Sequence, residues 1–180
     1  AEYLSQAKFP NLKELNLGGC EIKPQGASYL FVIGNFPNLR KLYLNLNYIE
    51  NGGADYLSKA NFPNLEELDL HNNKIGDEGA KFLTQSNFPN LQKLNLDFNL
   101  IGSEGAKYLY KANFENLREL NLYNNKIGSD GVKYLSEANL PNLQKLNLYQ
   151  NEIDKEAVQY LPQMNLPKLE DLFFDNESNK

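Results

Sequence analysis

The sequence predicts an α/β solenoid in which seven parallel strands form one face and short helices form the other. Seven leucines open the same nine-residue phrase, and they are 27 residues apart once and then 26 residues apart five times, at positions 12, 39, 65, 91, 117, 143 and 169. Alternating leucines within the phrase predict a short strand with one buried face. About 20 residues separate successive strands, which is long enough for a crossover, so the strands are expected to be parallel.

The second half of each unit predicts a short helix. In residues 75–90, IGDEGAKFLTQSNFPN, Asp77 stands where it can cap a helix, and the equivalent residues are Ser103, Ser129 and Asp154. The proline of the NFPN motif then ends the helix. Aromatic side chains that recur at fixed positions are assigned to the core, namely Tyr29, Tyr56, Phe82, Tyr108, Tyr134 and Tyr160, and Phe36, Phe62, Phe88 and Phe114.

The strand phrases, such as LEELDLHNN and LQKLNLYQN, match the signature of leucine-rich repeats. The unit length resembles the ribonuclease-inhibitor-like class, and IGDEGAKFL and IGSEGAKYL resemble the GALA-type repeats of bacterial effectors. The resemblance covers residues 1–177. It implies a horseshoe whose concave sheet is the working face, and a buried asparagine ladder at the ninth position of each unit. Cys20 occupies that position in the first unit and is expected to be buried with the ladder.

The repeat also predicts how the chain is divided. Residues 1–11 match the helical half of a partial N-terminal repeat, residues 12–168 form six repeats, and residues 169–180 form a final strand and a polar tail. A solenoid normally has polar units that cover its terminal hydrophobic faces. Neither end shows such a unit, so we expect the chain to be a piece of a longer array or of a multidomain protein.

Composition limits the partners. Lys and Arg number 18 against 23 Asp and Glu, which gives a net charge of -5. This balance disfavours nucleic acid and anionic membranes, which need clustered positive charge, and it favours a basic protein. The single cysteine excludes an internal disulfide and indicates a cytoplasmic location, which becomes the host cytosol if the effector resemblance holds.

Three columns of non-leucine positions are expected on the exposed sheet face. The third position alternates in charge from unit to unit and predicts a structural charge ladder, formed by Glu14, Lys41, Glu67, Lys93, Glu119, Lys145 and Asp171. Aromatic and acidic side chains break the repeat at the fifth, seventh and eighth positions. We predict that these residues bind a partner: Tyr43, Asp69, His71, Asp97, Phe98, Tyr123, Tyr149, Phe173 and Asp175. In the alternative interpretation, Tyr123 and Tyr149 stack on each other only to support the sheet.

The sequence gives no support for catalysis, and we expect no enzyme, cofactor or metal. The lone His71 and Cys20 lie two strands apart, about 10 Å at the usual spacing. Glu67, Asp69 and Asp97 lie near His71, where a weak cation site is one interpretation and a solvated acidic patch is favoured.

The function predicted is therefore a protein-binding module, and the resemblance implies a bacterial effector. One alternative is the recognition part of a ubiquitin-ligase adaptor or other multidomain effector. The other is a regulator of a small GTPase, for which Arg40 and Arg118 are the arginines available.

Overall fold

The chain forms one open sheet of seven parallel strands, which confirms the predicted fold class. The structure is a computed structural model and describes residues 1–7, 9–34 and 36–175. The strands follow one another in chain order: β1 Glu14–Asn16, β2 Lys41–Tyr43, β3 Glu67–Asp69, β4 Lys93–Asn95, β5 Glu119–Asn121, β6 Lys145–Leu148 and β7 Asp171–Phe174. Glu14 pairs with Lys41 and Lys41 with Glu67, so equivalent positions stand in line from strand to strand. The columns predicted from the repeat are therefore real rows across the sheet.

The helices form the second layer. They are α1 Glu2–Gln6, α2 Lys23–Ser28, α3 Glu50–Ser58, α4 Asp77–Thr84, α5 Ser103–Tyr110 and α6 Gly128–Ser136; a π-helix, Tyr29–Ile33, continues α2, and a 3₁₀-helix, Ala157–Gln163, takes the helical place in the sixth unit. Helices of neighbouring units from α2 to α6 pack against each other. The polar tail predicted after β7 lies outside the described residues from position 176 onward.

The core between the two layers contains the strand leucines and one of the two aromatic series. Phe36, Phe62, Phe88 and Phe114 are buried, as predicted. The second series is half-buried rather than buried, at Phe82 and its equivalents Tyr29, Tyr56, Tyr108, Tyr134 and Tyr160. Within it, Tyr56 and Tyr160 pack against the core, as predicted. The ammonium groups of Lys81 and Lys107 lie 5.6 and 5.4 Å from the ring centres of Tyr108 and Tyr134, respectively. These tyrosines thus contact a lysine of the preceding unit on the helical face.

The ninth-position asparagines form the buried ladder that the resemblance implies. Asn99 shows its geometry: the Nδ2 amide donates to the carbonyl oxygens of Leu70 and Leu96 at 3.0 Å, and Oδ1 accepts from the backbone N–H of Ile75 at 2.9 Å. The prediction that Cys20 is buried in this ladder is wrong, because Cys20 is exposed. Cys20 belongs to the first unit, whereas each asparagine of the ladder bonds a backbone carbonyl of the unit before its own. The Cys20 thiol lies 3.6 Å from the carbonyl oxygen of Gly18, in its own unit.

The helix caps bridge repeats, which the sequence prediction did not foresee. Oδ1 of Asp77 accepts the N–H groups of Gly102 (2.6 Å) and Gly105 (2.9 Å), so Asp77 caps α5 of the next unit rather than its own helix. A Cβ added at Gly105 would stand 2.7 Å from this oxygen, which explains the glycine of the EGA motif. Asp154 behaves as predicted, because its Oδ1 accepts the N–H of Ala157 at 2.9 Å, at the start of its own 3₁₀-helix.

Candidate functional site

Four rings from consecutive units form a continuous line on the exposed face of the sheet. His71 meets Phe98 edge to face at 5.0 Å between ring centres, and Phe98 meets Tyr123 in the same way at 4.9 Å. Tyr123 and Tyr149 stack at 6.4 Å with 29° between their planes. We call His71, Phe98, Tyr123 and Tyr149 the aromatic ridge. Four residues of the predicted partner-binding set are thus brought together.

The strand ends place these rings. His71, Tyr123 and Tyr149 occupy the seventh position of their units, one or two residues after the end of the strand. Phe98 comes one position later, and its backbone is left-handed with φ of 52°. In the fourth unit the seventh position is Asp97, which has no ring. The Phe98 ring lies between His71 and Tyr123 instead and contacts both.

Two rings of the ridge are open to solvent and two are partly covered. Phe98 is 40% exposed and Tyr149 is 42% exposed, while His71 and Tyr123 are half-buried. Large aromatic side chains on a surface are a common feature of interface hot spots, because they supply a large contact area with few rotatable bonds. The ridge therefore supplies contact surface as well as stacking between units.

Three aspartates border the ridge, and each also holds a backbone group. Oδ1 of Asp69 accepts the His71 N–H at 2.9 Å, Oδ1 of Asp97 accepts the Tyr123 N–H at 2.8 Å, and Oδ2 of Asp175 accepts the Gln150 N–H at 2.7 Å. The predicted acidic residues thus lie beside the rings, and they fix the turns that carry those rings.

The environment of two of these carboxylates disfavours their charge. Partial burial raises the pKa of Asp69 and of Asp97 above the ordinary range, although the backbone N–H donors and the nearby His71 act in the opposite direction. A cation placed next to these groups would stabilise the ionised form. The acidic edge of the ridge is thus suited to a positively charged ligand.

Tyr43 and Phe173 belong to a different part of the sheet. They occupy the fifth position in β2 and β7, at opposite ends of the set, and no ring contact joins either of them to the ridge within the described part of the chain. Tyr43 is half-buried, and Phe173 is 50% exposed. Their role in partner binding stays a prediction.

Further exposed apolar side chains lie in the loops after the strands and were missed by the sequence reasoning. Leu46, Tyr48 and Leu100 are 47%, 44% and 49% exposed. They occupy the eighth and tenth positions in the second and fourth units. The sequence does contain a signal for them, because the eighth and tenth positions are mostly polar in the other units, as at Asn72 and Lys74 in the third unit.

The predicted charge ladder resolves into ion pairs between neighbouring strands. The ammonium groups of Lys41, Lys93 and Lys145 lie 3.5, 2.9 and 3.3 Å from carboxylate oxygens of Glu67, Glu119 and Asp171, respectively. Each pair is at least partly open to solvent, where ion pairs contribute about 0–1 kcal/mol. The third column thus has the structural role predicted for it.

Neither a metal site nor a membrane-spanning helix is found among the described residues. Within them, no cluster of three or more His, Cys, Asp and Glu side chains has a geometry suited to a metal ion. No helix within residues 1–7, 9–34 and 36–175 combines the length and apolar character needed to cross a membrane. The predicted lack of enzymatic activity and of cofactors stays a prediction.

Family models place the chain among leucine-rich-repeat proteins. The model described as Leucine Rich repeats (2 copies) matches residues 37–80 and 63–106, and the model described as Leucine Rich repeat matches residues 10–31 and 115–136. Together they match more than half of the 180 residues, and the sheet has the topology of this class. The chain belongs to the leucine-rich-repeat family. The ribonuclease-inhibitor-like and GALA-type assignments stay predictions.

The solved structures to which the chain is similar are distant. The leucine-rich-repeat ectodomain of the plant membrane receptor kinase GASSHO1/SCHENGEN3 from Arabidopsis thaliana, in complex with CASPARIAN STRIP INTEGRITY FACTOR 2, is 19% identical with a TM-score of 0.44, covering 91% of this chain and 23% of that chain. A TDR receptor is 15% identical with a TM-score of 0.37, covering 82% and 32%. A chain of the octameric complex of Latrophilin 3, Unc5D and FLRT2 is 21% identical with a TM-score of 0.38, covering 94% and 70%.

The chain thus spans about a quarter and a third of the first two of these structures. The sequence comparison with curated proteins found no significant match.

Proposed function

We propose that this chain is a protein-binding module that holds a basic partner across the aromatic ridge. The observation that carries the proposal is the continuous line of ring contacts over four units, with Phe98 and Tyr149 exposed. Solenoid repeat proteins use extended surfaces of this kind to bind partners. If the rings stacked only to support the sheet, they could be buried. That interpretation does not account for the exposure of Phe98 and Tyr149.

Charge around the ridge supports a basic partner. The fifth, seventh and eighth positions of the seven units contain Asp69, Asp97 and Asp175 and no Lys or Arg. Rings bordered by carboxylates suit an arginine or lysine, which gains cation–π contact with a ring and a charge-assisted hydrogen bond to an acid. Acidic surfaces also attract basic proteins from a distance and so raise the rate of association.

A capture experiment tests the proposal. The purified chain is cross-linked to interacting proteins in a cell lysate, and the wild type is compared with the double variant Tyr123→Ala/Tyr149→Ala. Two half-buried tyrosines of the helical face give the matched control, Tyr108→Ala/Tyr134→Ala. We expect the ridge variant to lose at least about 10-fold in partner affinity and the control to bind like the wild type. Equal capture of the partner by both variants would show that the ridge is not part of the binding surface.

The competing hypotheses gain no support from the contacts of the described residues. Arg40, one of the two arginines available for GTPase regulation, is bound by Glu66, with Nε and Nη2 at 2.7 and 2.6 Å from Oε1. The effector role, the ubiquitin-ligase role and the cytoplasmic location stay predictions from the sequence.

A further inference from the structure

The first strand of the sheet has backbone donors without acceptors. In every later unit, the N–H groups of the second and third positions both donate to the second-position carbonyl of the strand before. Those of Arg40 and Lys41, for example, lie 2.8 and 3.0 Å from the Lys13 oxygen. β1 is the first strand in the sheet order, and within the described residues the N–H groups of Lys13 and Glu14 have no such acceptor. A sheet edge with unpaired N–H groups is a template for a further strand.

The leucines of the first unit are less well covered than those of the units that follow. Leu12, Leu15 and Leu17 occupy the first, fourth and sixth positions, and all three are half-buried. The leucines at these positions in the second to sixth units are buried, and Leu42, the equivalent of Leu15, is 0% exposed. A further strand beside β1 would remove the remaining apolar surface from water, which stabilises such a contact.

The charge ladder indicates which side chain a further strand would need. Each of its ion pairs joins a lysine of one unit to an acid of the next, namely Lys41 to Glu67, Lys93 to Glu119 and Lys145 to Asp171. Glu14 is the acid that has no lysine before it. Its side chain is exposed, and within the described residues no ion pair engages its carboxylate. The open place beside Glu14 therefore suits a lysine, whereas at the other edge of the sheet Asp171 is already paired.

A second copy of the chain does not supply this lysine. The ladder begins with Glu14 and ends with Asp171, so both of its ends are acidic. If β7 of a second copy continued the stack before β1, its Asp171 would stand next to Glu14. Like charges on neighbouring strands are destabilising, so the charge pattern disfavours stacking of the chain on itself.

We propose that the edge of β1 binds an extended segment of a partner protein as an additional parallel strand, with leucines at its first, fourth and sixth positions and a lysine at its third. Strand addition is a common mode of peptide recognition, in which backbone hydrogen bonds give affinity and side chains give specificity. The carbonyl of the segment's second residue accepts the N–H groups of Lys13 and Glu14. The leucines of the segment cover the three half-buried leucines of the first unit, and its lysine pairs with Glu14. This surface is separate from the aromatic ridge, so the inference goes beyond the proposed function.

Fluorescence anisotropy with two labelled peptides tests the proposal on the whole chain. The lysine peptide, LQKLNLDFN, has the sequence of residues 91–99, with leucines at the required positions and a lysine at the third. The glutamate peptide, LQELNLDFN, differs from it only at the third position. We expect the lysine peptide to bind the wild type at least about 5-fold more tightly, because it gains an ion pair where the other meets a like charge.

A charge reversal in the protein locates the contact. Glu14→Lys is expected to reverse the preference, so that the glutamate peptide binds this variant at least about 5-fold more tightly than the lysine peptide does. Glu137→Lys is the matched control, because Glu137 is also exposed and lies at the end of α6, away from β1. This control should keep the preference of the wild type. Circular dichroism of each variant checks that the fold is retained.

Hydrogen exchange measured by NMR tests the backbone contact directly. The lysine peptide should slow exchange of the Lys13 and Glu14 N–H groups at least about 5-fold, because they gain an acceptor in the complex. Sedimentation of the wild type without peptide should show a monomer.

Four results would overturn the inference. They are no binding of the lysine peptide up to about 1 mM, equal affinity of the wild type for both peptides, no reversal of the preference in Glu14→Lys, and unchanged exchange at Lys13 and Glu14 in the complex. A wild type that self-associates and protects the same two N–H groups would identify a second copy as the occupant and would also overturn it. None of these results bears on the proposed function, which is tested by variants of Tyr123 and Tyr149.

Discussion

At the residue scale, single polar side chains hold the turn that follows each strand. The fifth-position residues show this, because Oδ1 of Asn95 accepts the Asp97 N–H at 3.0 Å and Oδ1 of Asn147 accepts the Tyr149 N–H at 3.1 Å. Asp69 makes the same bond to His71 and is the one charged member among these three. The charge of Asp69 is therefore not required for the turn.

Replacement of Asp69 by asparagine is expected to preserve the fold and weaken the binding of a basic partner. Asparagine keeps the acceptor for the His71 N–H and removes a half-buried charge, so at pH 7 the free energy of unfolding should be unchanged or up to about 1 kcal/mol higher. Partial burial raises the pKa of Asp69 in the folded state. The stability that this group contributes is thus fully present below the unfolded pKa of about 3.9 and falls as pH rises through the raised pKa.

Urea unfolding of both proteins at pH 3 and pH 7 checks this sign. Asp69→Asn and the wild type should have the same free energy of unfolding at pH 3. At pH 7 the variant should be as stable as the wild type or more stable. A variant that is less stable than the wild type at pH 7 only would contradict the account.

The ninth-position asparagines are expected to be far more sensitive. Asn99→Ala removes donors to three carbonyls and the acceptor for two backbone N–H groups, all buried or partly buried. We expect a loss of about 3–5 kcal/mol in the free energy of unfolding. Asn90→Ala is the matched control, because the Asn90 amide makes one exposed bond, to the Pro63 carbonyl at 2.8 Å. Asn90→Ala should lower the free energy of unfolding by about 0.5–1.5 kcal/mol in the same urea titration. Equal losses in Asn99→Ala and Asn90→Ala would contradict the stabilising role of the asparagine ladder.

At the scale of the element, the helices depend on their neighbours. Each is short, and isolated helices of this length are not stable in water. The cap that Asp77 provides to α5 therefore contributes to the joint between two units, since its carboxylate belongs to one unit and the N–H groups of Gly102 and Gly105 to the next.

Loss of this cap gives a third prediction. Asp77→Ala should lower the free energy of unfolding by about 1–2 kcal/mol, because two N–H groups at the start of α5 lose their acceptor. Glu78→Ala is the control one residue later; Glu78 makes only an exposed ion pair with Lys81, at 3.3 Å, and should change stability by less than about 0.5 kcal/mol. Thermal and urea unfolding of the two variants compare them directly, and an unaffected Asp77→Ala protein would contradict the inter-repeat cap.

At the scale of the whole molecule, the repeat specifies the fold and the exceptions to the repeat form the candidate site. The leucine spacing was sufficient to predict seven parallel strands and the rows across them, because a period of 26 or 27 residues leaves little freedom in how units stack. The seventh-position column predicted His71, Tyr123 and Tyr149 for the same reason.

Features that depend on contacts between units were harder to predict. Asp77 caps a helix of the following unit, and nothing in its own unit reveals this. Cys20 is exposed because it belongs to the first unit of the stack, which a column assignment ignores. The exposed loop residues Leu46 and Leu100 were missed, because they lie beyond the columns of the strand from which the site was predicted.

The left-handed backbone shared by equivalent positions of the repeat gives a fourth prediction. Leu46→Asn places at this position the residue found at position 72, which tolerates the left-handed region better, and should raise the free energy of unfolding by about 0.5–1 kcal/mol. Urea unfolding of the variant and the wild type measures the effect, and a variant that is less stable than the wild type would contradict the prediction.

The most direct test of the central claim places a photo-crosslinking amino acid on the ridge. Benzoylphenylalanine replaces Tyr149 in one protein and Tyr108, on the helical face, in the other, and mass spectrometry identifies the adducts formed in a cell lysate. We predict specific adducts to a basic protein at position 149 and none of that protein at position 108. Adducts of the same partner at position 108 with none at position 149 would show that binding uses the helical face and would contradict the account.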